Sequence, residues 1–156
     1  MNVEEISSIV VDTAFNLQQE LGPGLLESVY EAVLAHKLRE HGLTVERQKP
    51  IAFTYQGIVF DEGFRVDLMV NDSLIIELKS VEKLAAVHFK QLLTYLRLLN
   101  LPLGLLINFG GTTFKEGVRR IVNDHSNIAG SRLRINSGED DIASRGDTKN
   151  AKGRVL

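Results

Sequence analysis

Apolar residues recur every three or four positions in three stretches of the chain, which predicts amphipathic helices. In the first stretch, Ile6, Val10 and Leu17 share one face. Gly22-Pro23-Gly24 ends that helix, because proline cannot continue it and glycine adopts cap geometries. The predicted helices cover residues 4–21, 25–40 and 83–99, and a short final helix is predicted over 114–123.

The apolar period changes to two between the second and third helices, which predicts β-strands. A fourth strand is predicted in a later run that is almost entirely apolar, as expected of a strand buried on both faces. From Asp124 onward the chain is rich in polar residues and lacks aromatic ones, so 1–123 is predicted as one domain and 124–156 as a polar, disordered tail. The predicted strands cover residues 43–56, 58–70, 74–80 and 103–109.

The loop between the second and third strands fixes how these strands pair. A two-residue turn would place apolar residues opposite polar ones, whereas a three-residue loop, residues 71–73, does not. The three-residue loop pairs apolar side chains throughout: Val70 with Leu74, Leu68 with Ile76, and Val66 with Leu78. We therefore predict this register.

The same register predicts a cluster of charges on the opposite face of the sheet. Asp67 falls opposite Glu77, and Arg65 falls opposite Lys79. Two facing carboxylates repel unless a cation lies between them, and two facing cations repel without an anion. A magnesium ion and a phosphate would resolve both conflicts, but a solvated face of a half-buried sheet explains the same charges.

Composition narrows the class of protein. With 156 residues and 44% hydrophobic residues, the chain has the mix of one globular domain. The absence of cysteine excludes disulfides and thiolate zinc sites and suits the cytoplasm. Neither a signal peptide nor an apolar run of the roughly 20 residues needed to cross a membrane is expected. The net charge of -2 argues against a strong, sequence-independent grip on nucleic acid.

Four short motifs occur in an order and spacing that resemble a known family. They are Gly24-Leu25-Leu26-Glu27-Ser28-Val29-Tyr30, Asp67, Glu77-Leu78-Lys79, and Gln91-Leu92-Leu93-Thr94-Tyr95. Residues 5–123 thereby resemble the GxxExxY family within the PD-(D/E)XK nuclease superfamily. Val66 stands where the superfamily motif has proline, a departure that costs no metal ligand.

The resemblance implies an α/β fold with a restriction-endonuclease-like αβββαβ core, a mixed central sheet flanked by helices. It implies Asp67, Glu77 and Glu27 as ligands of Mg²⁺ or Mn²⁺, and Lys79 as the catalytic lysine. Gln91 completes the catalytic group that the resemblance implies. Residues expected to bind substrate or support the site are Tyr95, Arg65 and His88.

Chemical arguments add to the roles of the residues on the third helix. Gln91 and Tyr95 are four residues apart and share a helix face, and His88 lies on it too. An amide on a leucine-rich helix is expected to be buried and to need partners. A lone histidine is weak evidence for catalysis, so a structural role for His88 remains open.

We expect a Mg²⁺-dependent nuclease that hydrolyses phosphodiester bonds in DNA. RNA as the substrate, and the choice between an endonuclease and an exonuclease, are left open. The alternative is a nucleic-acid-binding or protein-interaction module that keeps the nuclease fold with little or no turnover. The near-neutral charge favours the module, and the complete set of site residues favours the enzyme. No membrane partner is expected, and a homodimer is left open because superfamily members often dimerise.

Overall fold

Four helices and six strands make up the part of the chain that the structure, a computed structural model, describes: residues 1–124 and 133–135. The three long helices and the four strands predicted from the sequence are confirmed, with ends that differ by at most three residues. The elements are α1 (Val3–Leu21), α2 (Glu27–Glu40), β1 (Val45–Tyr55), β2 (Ile58–Val70), β3 (Leu74–Lys79), α3 (Ala86–Leu99), β4 (Leu103–Asn108), α4 (Phe114–Gly117), β5 (Val118–Val122) and β6 (Leu133–Ile135).

The strands form one mixed sheet in the order β5-β4-β3-β2-β1-β6. Strands β3 and β4 run parallel and are joined through α3, while every other neighbouring pair is antiparallel. The succession α2-β1-β2-β3-α3-β4 is the expected αβββαβ core, so the predicted α/β architecture with a mixed, helix-flanked sheet is confirmed.

Each face of the sheet is covered by its own apolar cluster. Helices α1 and α2 contribute Leu17 and Leu34 to a larger cluster that also holds Leu78. Helix α3 contributes Leu92 to a smaller cluster that holds Ile75. Because side chains alternate along a strand, the odd-numbered residues of β3 after Ile75 point toward the α3 side.

The predicted hairpin register is confirmed where β2 and β3 are joined. Val70 pairs with Leu74, and Leu68 pairs with Ile76, around the three-residue loop. Asn71 and Asp72 adopt positive φ angles of 48° and 51°, a conformation that Asn and Asp tolerate better than other side chains.

Val66 departs from the predicted pattern, because it lies in the α3 cluster rather than with Leu68 and Val70 in the α1–α2 cluster. The predicted pairing of Val66 with Leu78 is therefore wrong. Regular pairing of β2 with β3 ends at Leu68. On the other side of β2, strand β1 is irregular at Gln48, which has φ of 50° and lies between two residues that pair regularly with β2. The alternation of faces is reset at this irregularity.

The predicted final helix over 114–123 is also wrong beyond its first turn. Helix α4 ends at Gly117, and Val118–Val122 forms strand β5, which pairs with β4. The β-branched residues Val118, Ile121 and Val122 favour a strand, and the open side of β4 needs partners for its backbone groups. Tertiary pairing thus overrides the local helical pattern.

The tail predicted over 124–156 lies outside the described residues, apart from Asp124 and strand β6. The backbone of β6 pairs with β1, with Ile135 opposite Phe53 and Leu133 opposite Tyr55. Among the described residues, no helix combines the length and the apolar character that a membrane crossing requires.

Candidate active site

Strands β2 and β3 separate just beyond their apolar pairs, and two carboxylates bridge them. The amide nitrogen of Asp67 donates a hydrogen bond to Glu77 Oε1 at 3.1 Å. The amide nitrogen of Leu78 donates to Asp67 Oδ2 at 2.8 Å. The structure therefore brings Asp67 and Glu77 together, but each side chain bonds to the opposite backbone where a regular sheet would have backbone bonds.

The Glu77 carboxyl group is held in an environment that disfavours its negative charge. Only 5% of the residue is exposed. Burial and the negative charge of Asp67 raise the pKa of Glu77 to about 8, although the Asp67 amide and the Lys79 ammonium oppose part of the rise. A cation beside the pair would remove the repulsion that this pKa reflects.

Lys79 is the last residue of β3 and lies two positions after Glu77, so both project from the same face of the strand. Its side chain is half-buried, and its positive charge lowers the pKa of Glu77. The Lys79 carbonyl accepts a 2.8 Å hydrogen bond from the amide of Phe109, which fixes the end of the strand. The structure thus joins Lys79 to the carboxylate pair.

Glu27 lies at the end of β3 instead of against the carboxylate pair. It is the exposed first residue of α2, and its Oε1 accepts a 3.3 Å hydrogen bond from the amide of Ser80. The Ser80 hydroxyl donates to the carbonyl of Leu25 at 2.7 Å, which ties the same loop to β3. Among residues 1–124, no three metal-binding side chains gather into one cluster, so Glu27 is not brought together with Asp67 and Glu77.

Tyr95 of α3 packs against β2. Its ring stacks on Phe64 of β2 with centroids 4.2 Å apart and planes 15° from parallel. Burial raises the pKa of the Tyr95 phenol, and the charges of Glu77 and Asp67 raise it further. Through this charge interaction, α3 contributes to the electrostatics of the site.

A family model described as the PD-(D/E)XK nuclease superfamily matches residues 4–121. The chain belongs to this superfamily. Comparisons with curated proteins and with solved structures give no match. Asp67, Glu77 and Lys79 all lie within the matched range, and the structure brings them together where the pairing of β2 with β3 ends.

Gln91, one of the two other predicted site residues on α3, has other surroundings than expected, whereas His88 has the structural role left open for it. Gln91 is exposed, so the expectation of a buried amide in need of partners is wrong. The helix turns its leucines, among them Leu92, toward the sheet and leaves the amide at the surface. His88 Nδ1 accepts a 3.0 Å hydrogen bond from the amide of Ala85, so His88 caps the first turn of α3.

Arg65 does not face Lys79 as the register predicted. Its guanidinium forms an ion pair with Glu62, three residues earlier on β2, and about half of its side chain is exposed. The expectation assumed that β2 and β3 stay paired as far as Arg65. Their pairing ends at Leu68, and the alternation of side chains between the two faces changes at Asp67.

The donor set fits a hard divalent cation. Nucleases of the superfamily generally use divalent metal ions. Mg²⁺ in proteins is commonly held by one or two carboxylates, with waters and substrate phosphate completing its shell. Asp67 and Glu77 supply two such carboxylates on adjacent strands, and the raised pKa of Glu77 marks a place where positive charge is stabilising.

A second group of polar residues lies beside the pair and was missed in the sequence. Glu31 on α2 is buried with 5% exposed, and it accepts hydrogen bonds from Arg47 Nε at 3.1 Å and Gln48 Nε2 at 2.7 Å. Gln48 Nε2 also donates to Asp67 Oδ1 at 3.2 Å. The spacing of Glu31 four residues after Glu27, which places both on one helix face, was the available signal.

Asn108 also escaped the sequence reasoning, although it follows five apolar or small residues in a buried strand. Its Oδ1 accepts hydrogen bonds from the amides of Val81 and Gly110, both at 3.0 Å, and its Nδ2 donates to the Val81 carbonyl at 2.8 Å. Asn108 pairs in register with Lys79. It therefore clamps the loop that follows the catalytic lysine candidate.

Proposed function

We propose that the protein is a Mg²⁺-dependent nuclease that hydrolyses phosphodiester bonds in DNA, and that it belongs to the GxxExxY branch of the superfamily. One observation carries the proposal. Asp67 and Glu77 bridge β2 and β3 where the regular pairing of these strands ends, and Lys79 follows Glu77 two residues later on the same face. Two carboxylates beside a lysine suit phosphodiester hydrolysis.

The proposal assigns a separate role to the carboxylates and to the lysine of the site. Asp67 and Glu77 would hold Mg²⁺, or Mn²⁺ in its place. A bound divalent cation acts as a Lewis acid toward water and the scissile phosphate. The Lys79 ammonium stabilises negative charge that develops on the phosphate oxygens. The resemblance also implies Glu27 as a ligand, and its carboxylate accepts from the Ser80 amide at the end of β3, apart from this pair.

The proposed setting is the cytoplasm, which suits a chain without cysteine. DNA is proposed over RNA on the strength of the family resemblance. With a net charge of -2, recognition depends on local contacts near the site more than on a broad basic surface, so binding should be sensitive to the structure of the substrate.

A second candidate is a binding module that retains the fold with little turnover. The same net charge and the separation of Glu27 from the carboxylate pair favour it. The two candidates differ in what Lys79 does. A nuclease loses cleavage without this lysine, whereas a module shows no metal-dependent cleavage to lose.

The test is a cleavage assay with Mg²⁺ or Mn²⁺ on single-stranded, double-stranded and branched DNA and on RNA, comparing wild type with Lys79→Ala. Lys37→Ala is the matched control, because Lys37 lies about 15 Å along α2 from Glu27. Its ammonium group forms an ion pair with Glu20 of α1. We expect Lys79→Ala to abolish cleavage and Lys37→Ala to leave it unchanged. Metal-dependent cleavage that survives Lys79→Ala overturns the mechanism.

A further inference from the structure

Gln48 adopts a backbone conformation that a glutamine seldom takes. It lies inside β1 with φ of 50°, between Arg47, which pairs with Leu68, and Lys49, which pairs with Val66. A positive φ is uncommon for residues with a side chain and persists where the surroundings stabilise it. Asp67 occupies the matching position of β2, between the same two pairs. The unusual conformation therefore occurs directly beside a proposed metal ligand.

The side-chain amide of Gln48 bonds to two carboxylates at once. Nε2 donates to Glu31 Oε2 at 2.7 Å and to Asp67 Oδ1 at 3.2 Å. Carboxylates accept hydrogen bonds and do not donate them when ionised, so only the nitrogen end of the amide can face them. The two acceptors thus fix which way the Gln48 amide points.

Asp67 is in turn held on both oxygens. Oδ1 accepts from Gln48, and Oδ2 accepts from the amide of Leu78 at 2.8 Å. Two donors on opposite oxygens stop the carboxylate from rotating, while each oxygen keeps a further lone pair for a cation. A carboxylate held in one orientation is a better ligand, because less freedom is lost when the cation binds.

The far end of this chain of bonds is anchored in the body of the domain. Glu31 is buried on α2, and its second oxygen accepts from Arg47 Nε at 3.1 Å. Arg47 and Gln48 are consecutive, so β1 supplies both donors to Glu31. The contacts run from α2 through Gln48 to Asp67 and connect the helix to the carboxylate pair.

We infer that Gln48 is a positioning residue that orients the Asp67 carboxylate for metal binding, with Glu31 holding the Gln48 amide in place. The inference rests on the proposed function, in that Asp67 is taken as a metal ligand. Glutamine is the residue type this position requires. Glutamate would bring a third negative charge and no donor, and asparagine is one methylene too short to reach both carboxylates.

The test compares Gln48→Asn with Gln56→Asn in the full chain. Gln56 is a matched control because it has the same φ of 50° and is exposed at the turn after β1. Asparagine tolerates this backbone conformation, so both substitutions preserve the backbone and shorten the side chain that carries the amide by one methylene. Gln48→Met is the second variant, which keeps the length and removes the donor. Mn²⁺ affinity is measured by calorimetry and by electron paramagnetic resonance, with the melting temperature recorded alongside.

We expect Gln48→Asn and Gln48→Met to weaken Mn²⁺ binding by about tenfold or more, while Gln56→Asn has no effect. The melting temperature of Gln48→Asn should fall below that of Gln56→Asn, because the buried Glu31 loses a donor, and both variants should stay folded at the temperature of the binding measurement. Unchanged Mn²⁺ affinity in both Gln48 variants overturns the inference, as does a wild type that binds no Mn²⁺. Failure of both Gln48 variants to fold also overturns it, since the residue would then serve the fold itself.

The two proposals can fail separately. A wild type that binds Mn²⁺, loses affinity on Gln48→Asn and cleaves no nucleic acid supports the positioning role and overturns the proposed nuclease activity. A wild type that cleaves DNA and depends on Lys79, with Mn²⁺ affinity unaffected by either Gln48 variant, supports the nuclease and overturns the positioning role.

Discussion

The backbone amide of Asp67 donates a 3.1 Å hydrogen bond to the side chain of Glu77, so the position of one carboxylate depends on the backbone that carries the other. The reciprocal contact, from the Leu78 amide to Asp67 Oδ2, makes the dependence mutual. The two strands are thereby held together by carboxylates at the point where their regular pairing has ended. A change at either acid is expected to disturb both.

Folding stability of the metal-free protein is expected to decrease between about pH 5 and pH 8. Burial and the charge of Asp67 raise the pKa of Glu77 from 4.5 to about 8 in the folded state. At a pH below the pKa of Glu77 in the unfolded chain, the protonated carboxyl group contributes its full stability. This contribution is lost as the pH rises through the higher pKa of the folded state, because the folded state binds the proton more tightly. Thermal melts in EDTA from pH 5 to 9 measure the effect.

Glu77→Gln should flatten that pH dependence, because the glutamine amide is neutral throughout. The control is Glu82→Gln, which changes an exposed glutamate and should leave the pH dependence as in the wild type. Saturating Mn²⁺ should restore stability at the alkaline end for the wild type and not for Glu77→Gln. The same pH dependence in wild type and Glu77→Gln would show that another group is responsible.

Asn108→Ala is expected to destabilise the protein by about 2–4 kcal/mol, since two amides and one carbonyl lose their partner. These bonds join Asn108 to Val81 in the loop after Lys79 and to Gly110 directly after β4. Urea denaturation measures the change. Asn16→Ala, at an exposed position of α1, is the control and should stay within about 0.5 kcal/mol of wild type. Equal stability of both variants would contradict the clamping role.

The sequence predicted the parts of the fold and site that depend on local periodicity. The pairing of Val70 with Leu74 followed from matching apolar faces, since a shift of one residue would turn a whole strand over. The proximity of Asp67 and Glu77 followed from the same register, and Lys79 followed from the period of two. Each of these depends on residues at most a dozen positions apart.

The parts that escaped prediction depend on contacts between distant segments. The positive φ of Gln48 is stabilised by Glu31 and Asp67, and no periodicity of β1 reveals either partner. That irregularity moved Val66 to the other face and separated Arg65 from Lys79. The sequence shows polar residues inside apolar stretches, but it does not show which residues they bond to.

Tyr95→Phe is expected to lower the cleavage rate about tenfold, because its hydroxyl interacts with the charges of Glu77 and Asp67, while leaving stability almost unchanged. The ring keeps its stack on Phe64 at 4.2 Å, and only the hydroxyl is removed. Single-turnover cleavage and thermal melts measure the two effects. Tyr95→Leu is the comparison, because it also removes the stack and should lower the melting temperature. Full activity in Tyr95→Phe would limit Tyr95 to packing.

Two adjacent glycines after β4 should respond very differently to a single added methyl group. A Cβ on Gly110 would lie 2.5 Å from the carbonyl oxygen and 2.7 Å from the nitrogen of Val81, both backbone atoms of the loop after Lys79. A Cβ on Gly111 would approach nothing closer than Asn108 Nδ2 at 3.5 Å, an ordinary contact. Backbone atoms cannot move aside as a flexible side chain can, so the Gly110 contact must displace the loop.

Gly110→Ala is therefore expected to destabilise the protein by about 2–4 kcal/mol, and Gly111→Ala by less than about 1 kcal/mol. Urea denaturation of the two variants side by side measures the difference, and Gly111→Ala controls for the altered entropy of the unfolded chain. Because the displaced loop follows Lys79, Gly110→Ala should also reduce cleavage under conditions in which the variant remains folded. Similar stability of the two variants would mean that the loop after Lys79 can shift freely, and the close packing of Gly110 against Val81 would then have no part in holding the lysine.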